Sequence, residues 1–221
     1  MERIFLNRAA AGRALARSLQ AYAQRPGVVV LALPRGGVPV GFEVAMALHA
    51  PLDVLMVRKL GVPWQSELAM GAIASGGALH VDRRLMREAG VSDVQFESVL
   101  AEAQRELARR EALYREYRPA ADVAGRIAIV VDDGMATGAT LLAALRALRA
   151  LGEQAPAKLV AALPVAPVDA GRRLGDAADE FVCAMTPQVF FSVGQFYQDF
   201  GETTDDDVRA LLGAAFTPPL P

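Results

Sequence analysis

The chain has 221 residues and a formal net charge of −2, with 53% hydrophobic and 22% charged residues. This composition excludes a disordered chain, and the absence of a basic excess argues against nucleic acid or an anionic membrane as a partner. A single cysteine excludes a disulfide framework. No apolar run is long enough for a signal peptide or a membrane span, so we expect one cytoplasmic domain over residues 1–221.

Apolar periodicity predicts alternating helices and strands in the first third of the chain. Val28–Leu33 is continuously apolar and begins with three β-branched valines, as in a strand that is covered on both faces. Pro26-Gly27 and Pro34–Gly37 interrupt the pattern as loops. The remaining predicted elements are helices over residues 8–24 and 38–49 and a strand over Leu52–Val57.

The middle third is predicted to begin with a loop over residues 58–70, because it holds Gly61, Pro63 and several polar residues. Two short strands follow over residues 71–74 and 78–81. The longest helix spans Ser92–Tyr117, where Ser92 and Gln95 form a capping box. We interpret its arginine and glutamate residues as a solvated face without function.

The last third continues the alternation and predicts an α/β fold. The predicted elements are strands over 126–132, 158–164 and 180–185, helices over 138–151 and 168–174, and a final helix from the acidic run 205–207. Strands that alternate with helices indicate a doubly wound, mostly parallel sheet of about five strands with flanking helices. Ligands bind at the carboxyl ends of the strands in such sheets.

The segment Val130–Thr140 carries the most specific chemistry. A buried strand delivers Asp132 and Asp133 to its carboxyl end, a turn of small residues follows, and a helix begins at Thr137-Gly138-Ala139-Thr140. The free N–H groups of a helix N-terminus bind phosphate. Two adjacent carboxylates repel anions, so they are suited to sugar hydroxyls or a cation. The segment therefore indicates a site for a phosphorylated ribose, and it is neither a Walker A loop nor a dinucleotide fingerprint.

Val130–Thr140 resembles the phosphoribosyl-diphosphate (PRPP) motif of the type I phosphoribosyltransferases. The resemblance implies a core over about residues 27–185, a small hood from about residues 1–10 and 186–215, and a flexible lid hairpin. It implies that Asp132 and Asp133 bind the ribose hydroxyls and take part in catalysis. The residues implied to bind ribose and 5′-phosphate are Asp132, Asp133, Ala136, Thr137, Gly138, Ala139 and Thr140.

The loop after the first core strand, Pro34-Arg35-Gly36-Gly37, resembles the pyrophosphate loop of that family. Its two glycines let backbone N–H groups approach an anion, and the Arg35 guanidinium matches phosphate oxygens. In the family this loop often carries a cis peptide bond, and Pro34–Arg35 is the matching bond.

Val57–Pro63 resembles the start of the lid in adenine phosphoribosyltransferases, which implies that Arg58 and Lys59 bind pyrophosphate. Lys59 would take part in catalysis, because cleavage of the ribose–pyrophosphate bond releases a highly charged group that a cationic lid can neutralise. Glu67 resembles the lid glutamate in placement and would handle a proton on the base, although an ordinary surface residue is equally compatible with its position.

The segment Phe190–Phe200 resembles the hood of hypoxanthine-type enzymes. The resemblance implies base binding by Phe190, Phe191 and Val193, and it implies a metal site with Asp199 and Asp133. Ala136 departs from the hypoxanthine type, which has a third Asp at that position, and matches the adenine type. The identity of the base therefore stays open.

The resemblance implies a transferase that moves a 5-phosphoribosyl group from Mg²⁺-PRPP to a nitrogenous base and releases pyrophosphate, with a purine in nucleotide salvage as one candidate acceptor. A non-catalytic PRPP-binding sensor and a hydrolase of a phosphorylated ribose stay open as alternatives. The expected partners are PRPP, a small base and Mg²⁺, without nucleic acid or membrane. We expect a homodimer, since lids of this family often reach a neighbouring subunit.

Overall fold

The computed structural model describes residues 4–115 and 120–215 of the chain. The elements, in chain order, are α1 (Arg8–Ser18), β1 (Val28–Ala32), α2 (Gly37–Leu48), β2 (Leu52–Val54), β3 (Val57–Val62), β4 (Gln65–Ala74), β5 (Ala78–Val81), α3 (Arg83–Ala89), α4 (Asp93–Arg115), β6 (Ile127–Val131), α5 (Ala139–Arg149), β7 (Lys158–Val165), α6 (Ala170–Leu174), β8 (Glu180–Met185) and α7 (Asp205–Ala215).

The central sheet has five parallel strands in the order β2-β1-β6-β7-β8. This arrangement confirms the predicted α/β fold with helices on both faces. Strand β1 pairs with β6 so that Ala32 lies beside Val131, and both strands end at the same edge of the sheet. The loops that follow these two strands are therefore neighbours in space.

Strand β1 shows why a continuous apolar run forms the centre of this sheet. Val28, Val30 and Ala32 pack in one buried cluster with α1 and α2. Val29 and Leu31 point to the opposite face and pack with α5 and α6. Each fully buried valine or leucine contributes about 1.5–3 kcal/mol relative to an exposed side chain, so both faces of this strand stabilise the fold.

The prediction of a loop over residues 58–70 is wrong. Strands β3 and β4 form a hairpin and, with β5, a three-stranded antiparallel sheet. Gly61 lies at an irregularity in the pairing, where a Cβ atom would overlap the carbonyl oxygen of Ser66, and Pro63-Trp64 forms the turn. Leu60 and Met70 are fully buried, so apolar packing holds this hairpin in register despite its glycine and proline.

Other predicted boundaries are corrected by the structure. The helix predicted over 8–24 ends at Ser18, and a 3₁₀ turn follows over Gln20–Tyr22. The strand predicted over Leu52–Val57 ends at Val54, and Val57 already belongs to the hairpin sheet. Helix α3 was not predicted.

The predicted capping box on the long helix is confirmed. The Ser92 N–H donates to Gln95 Oε1 at 2.9 Å, and the Gln95 N–H donates to Ser92 Oγ at 3.3 Å. Residues 116 and 117 of that predicted helix lie outside the described residues.

Phe5, before α1, pairs with the segment Phe196–Gln198 beside the carboxyl edge of the sheet. The Phe5 N–H donates to the Phe196 carbonyl at 2.8 Å, and the Gln198 N–H donates to the Phe5 carbonyl at 2.8 Å. The start of the predicted hood, residues 1–3, lies outside the described residues. In the described part of the chain, no helix combines the length and the apolarity that crossing a membrane requires.

Candidate functional site

The loop after β1 packs directly against the two acids that follow β6. A Cβ atom at Gly36 would overlap the Asp133 carboxylate, and one at Gly37 would lie 2.8 Å from the Val131 carbonyl oxygen. Glycine is therefore required at both positions for this approach. The Pro34–Arg35 peptide bond is cis, as the match to the pyrophosphate loop predicts.

The Asp133 carboxylate is held by an arginine from the start of α1. Arg8 Nε donates to Asp133 Oδ2 at 2.8 Å, and the two side chains are 14% and 15% exposed. Arg8 Nη1 also donates to the Gly201 carbonyl at 2.6 Å, and the guanidinium lies 3.9 Å from the centroid of the Phe200 ring. Arg8 therefore connects this acid with the hood.

Burial dominates the electrostatics of the two acids. It raises the pKa of the Asp132 carboxyl well above its ordinary value, and the neighbouring charge of Asp133 raises it further. Burial also raises the pKa of Asp133, while Arg8 acts in the opposite direction. A ligand that brings hydroxyl donors or a cation to this pair would relieve that cost.

The turn after the acids is mostly exposed at the start of α5, where the Ala139 N–H donates to Thr137 Oγ1 at 3.4 Å. The Met135 N–H donates to the Val165 carbonyl at 3.1 Å, and the buried Met135 side chain lies beneath Gly138, which adopts a φ of +80°. Ala136, Thr137 and Thr140 are exposed. This turn has the form of a phosphate cradle at a helix N-terminus, and the residues predicted to bind phosphate lie in it: Ala136, Thr137, Gly138, Ala139 and Thr140.

Arg35 points from its loop toward the C-terminal hood and α7. Its Nη2 lies 2.5 Å from Glu202 Oε1, and its Nη1 lies 3.9 Å from Asp205 Oδ1. Arg35 also lines a cavity of about 320 Å³ together with residues of α4.

The predicted lid residues border a different cavity. Lys59 and Glu67 line a space of about 190 Å³ against α5, from Ala139 to Arg146. Successive side chains of a strand point to opposite faces, so Arg58 lies on the other face of the hairpin. The structure thus brings Lys59 and Glu67 together near the helix that follows the motif, and it separates them from the cavity that Arg35 lines.

The hood residues predicted to bind a base have unequal exposure. The Phe190 ring packs against Phe196 at a centroid distance of 5.1 Å, whereas Phe191 is 85% exposed. Val193 packs over Gly134, where a Cβ atom would lie 2.5 Å from a Val193 methyl carbon. Phe191 is therefore the candidate ring with a free face for stacking on a base.

The predicted metal site at Asp133 and Asp199 has few protein donors. In residues 4–115 and 120–215, no three His, Cys, Asp or Glu side chains are grouped to hold a metal ion. Asp199 is exposed and accepts a hydrogen bond from the Gly201 N–H at 3.0 Å. Mg²⁺ is commonly held by one or two carboxylates together with substrate phosphates, so a metal site at Asp133 and Asp199 stays a prediction.

Several residues at the site were missed by sequence reasoning. The sequence placed Arg8 in a helix and indicated no partner for it. Its contact is Asp133, which lies 125 positions later in the chain. The Tyr197 hydroxyl donates to the Asp133 carbonyl at 2.5 Å, and burial raises the pKa of this phenol strongly. Glu202 pairs with Arg35. These contacts join distant segments, and no local pattern in the sequence marks them.

Comparison with known proteins places the chain in a family. The model of the phosphoribosyl transferase domain matches residues 3–172, which include both loops of the site. The chain belongs to this family. Membership accounts for the paired acids, the glycine loop and the helix N-terminus at one edge of a parallel sheet.

Two relatives in this phosphoribosyl transferase family come from Mycobacterium tuberculosis, "Putative phosphoribosyl transferase Rv0571c" and "Putative phosphoribosyl transferase MT0597". Each is 47% identical over 213 residues, which cover 96% of this chain and 47% of the relative. The chain thus spans about half the length of these curated relatives. The crystal structure of TT1426 from Thermus thermophilus is 42% identical, with a TM-score of 0.82 over 95% of this chain and 97% of that chain.

Proposed function

We propose that the protein transfers a 5-phosphoribosyl group from PRPP to a nitrogenous base and releases pyrophosphate. One observation carries the proposal. The backbone of Gly36 and Gly37 lies against Asp132 and Asp133, and the N-terminus of α5, the proposed phosphate site, follows these two acids in the chain. A diphosphate loop, two ribose-binding acids and a monophosphate cradle are the three parts that PRPP requires. The first part follows β1 and the other two follow the neighbouring strand β6, so all three lie at one edge of the sheet.

In the proposed reaction the bond between ribose C1 and the pyrophosphate oxygen breaks, and the electron pair leaves with pyrophosphate. A ring nitrogen of the base supplies the pair for the new bond and loses its proton. Asp132 and Asp133 orient the ribose hydroxyls, while positive charge develops at C1 and is stabilised by nearby carboxylates. Mg²⁺, when bound with PRPP, would neutralise charge on the diphosphate, with Asp133 and Asp199 as the predicted protein ligands.

We place the acceptor end of the proposed site between the hood and the hairpin. Phe191 has a free ring face for a base, and Ala136 stands at the motif position where hypoxanthine-type enzymes have an acid. A proton from the base would pass to Glu67 or to solvent, and Glu67 lines a cavity with Lys59 beside the start of α5. This arrangement is compatible with a purine acceptor, since Ala136 matches the adenine type.

The test is incubation of the protein with Mg²⁺-PRPP and a panel of purine and pyrimidine bases, with chromatography of the products. We expect one base to yield its nucleotide and an equal amount of pyrophosphate. Ribose phosphate without any nucleotide would indicate a hydrolase instead. Binding of PRPP without turnover with any base would indicate a sensor, and either result would contradict the proposal.

Homodimerisation is also a proposal, based on the reach of lids in this family. Light scattering coupled to size-exclusion chromatography measures it directly. A mass twice that of the 23.5 kDa chain is expected, and a monomer at assay concentration would contradict it.

A further inference from the structure

Helix α4 and the loop Pro34–Gly37 border a cavity whose α4 residues the predicted site does not include. The cavity of about 320 Å³ is lined by Arg35 from the loop, by Arg109 and Arg110 from α4 and by one acid, Asp205. Its size lies at the lower end of the range for ligand pockets, which suits a small ligand. Three guanidinium groups around one cavity favour a phosphate-type anion, because their planar N–H donors match its oxygens.

Arg109 and Arg110 are aligned by one shared carboxylate. Glu106 accepts from Arg109 Nε and Nη2, each at 2.9 Å, and from Arg110 Nε at 2.8 Å. The two arginines lower the pKa of Glu106 to about 2, so the carboxylate stays ionised. A guanidinium carries five N–H donors, so both arginines have more donors than these contacts use. Glu106 therefore orients the pair and does not saturate it.

The carboxylates beside Arg35 are exposed, so another anion can displace them. Arg35 is 43% exposed, and its partners Glu202 and Asp205 are 72% and 46% exposed. Tyr114 also lines the cavity, and its hydroxyl donates to Asp205 at 2.5 Å. Exposed ion pairs contribute little stability, so an anion of higher charge can replace Glu202 on Arg35.

We propose that Arg109 and Arg110 act with Arg35 as further pyrophosphate-binding residues, so that helix α4 supplies cations to the leaving diphosphate. The inference deepens the proposed function and rests on it. It gives a role to arginines that a helical charge pattern alone assigns to a solvated face. The proposal also provides positive charge on the α4 side of the Pro34–Gly37 loop, because Lys59 lines the separate cavity against α5.

The test measures binding of inorganic diphosphate in the presence of Mg²⁺ by isothermal titration calorimetry. The variant Arg109→Gln/Arg110→Gln removes both cations and keeps polar side chains. Charge-assisted hydrogen bonds of this kind correspond to a loss of affinity of roughly ten- to a hundredfold. The double Lys variant at the same positions keeps the charge, and we expect it to recover part of the affinity.

Arg84→Gln is the matched control. Arg84 Nε donates to Glu88 Oε1 at 2.7 Å across one helical turn, as Arg110 does to Glu106, but Arg84 lies on α3 and does not line the cavity. We expect its diphosphate affinity to stay within about twofold of the wild type. Circular dichroism on each variant shows whether the fold is retained.

The two proposals fail in different ways. If the wild type forms a nucleotide and the Gln double variant binds diphosphate within twofold of it, the role of α4 is overturned and the transferase stands. If the wild type makes no nucleotide, and only the Gln double variant binds diphosphate more weakly than the wild type, the anion site stands and the transferase is overturned. A wild type that does not bind diphosphate overturns the inference.

Discussion

The charge of the buried Asp132 carboxylate lowers the stability of the ligand-free protein. It lies beside Asp133, its Oδ1 accepts the Asp133 N–H at 2.8 Å, and burial raises its pKa. A group whose pKa is raised in the folded state holds its proton more tightly there than in the unfolded chain. Ionisation of Asp132 therefore destabilises the fold above that raised pKa, and the cost disappears as the pH falls toward the ordinary range of Asp.

We predict that Asp132→Asn stabilises the ligand-free protein while it weakens PRPP binding. The amide oxygen of Asn can still accept the Asp133 N–H, and the buried charge is removed. The gain at pH 7.5 is expected to be about 1 kcal/mol, or roughly 3 °C in Tm. Thermal unfolding at pH 7.5 and at pH 4 checks this. A Tm gain that persists undiminished at pH 4 would show that charge is not the cause.

We predict that Gly36→Ala damages the site without a comparable loss of fold. Gly36 has an ordinary φ of −60°, so alanine is tolerated by the backbone, but its Cβ atom would overlap the Asp133 carboxylate. Displacement of that carboxylate is expected to weaken PRPP binding at least tenfold, by calorimetry. Gly213→Ala is the control, since among the described residues no atom beyond its own helix lies within 4 Å of a Cβ atom there. Equal affinities in the two variants would refute the role of this contact.

The acids and glycines of the site could be predicted because each belongs to a local pattern. Asp132 and Asp133 end a buried strand, and Gly36-Gly37 follows another. Arg8 could not be predicted, because nothing near it in sequence indicates a partner at Asp133. Arg109 and Arg110 were hidden by their spacing from Glu106, which on an exposed helix is typical of a solvated face.

At the scale of elements, the hairpin of β3 and β4 differs most from expectation. Glycine and proline commonly mark loops, and Gly61 and Pro63 outweighed the apolar positions in the prediction. The structure buries Leu60 and Met70 and tolerates the glycine at a pairing irregularity. Strands β1, β6 and β7 were predicted to within one residue because burial on both faces leaves a continuous apolar run, such as Ile127–Val131.

We predict that the hairpin is a protected structure and not a mobile loop in the ligand-free protein. Hydrogen exchange followed by mass spectrometry should show slow exchange for peptides over 57–61 and 68–74, because their amides belong to a paired sheet. Peptides over the mostly exposed segment 186–192 serve as the fast reference. Equally fast exchange in both regions would contradict the described hairpin.

At the scale of the whole molecule, Arg8 joins the start of α1 to two regions that are distant in sequence. It contacts Asp133 after β6, the Gly201 carbonyl and the Phe200 ring. The Phe5 backbone pairs with Phe196 and Gln198 nearby. The placement of the hood over the sheet edge therefore depends on a charge at the start of α1.

We predict that Arg8→Gln destabilises the protein by about 2 kcal/mol, or roughly 4–8 °C in Tm, because it leaves the mostly buried Asp133 carboxylate without its cation. Arg17→Gln, an exposed position on the same helix, is expected to change Tm by less than about 1 °C. Thermal unfolding of both variants checks the prediction. A similarly small change in Tm for both variants would show that Arg8 does not hold the hood in place.

Calorimetric titration of Mg²⁺-PRPP into the wild type and Asp133→Asn measures whether Asp133 binds the ribose of PRPP. Asp176→Asn, an exposed acid in a turn after α6, is the control. We predict that the wild type and the control bind PRPP with the same affinity and that Asp133→Asn binds at least tenfold more weakly. Equal affinity in all three proteins, or no binding by the wild type, would contradict ribose binding by Asp133.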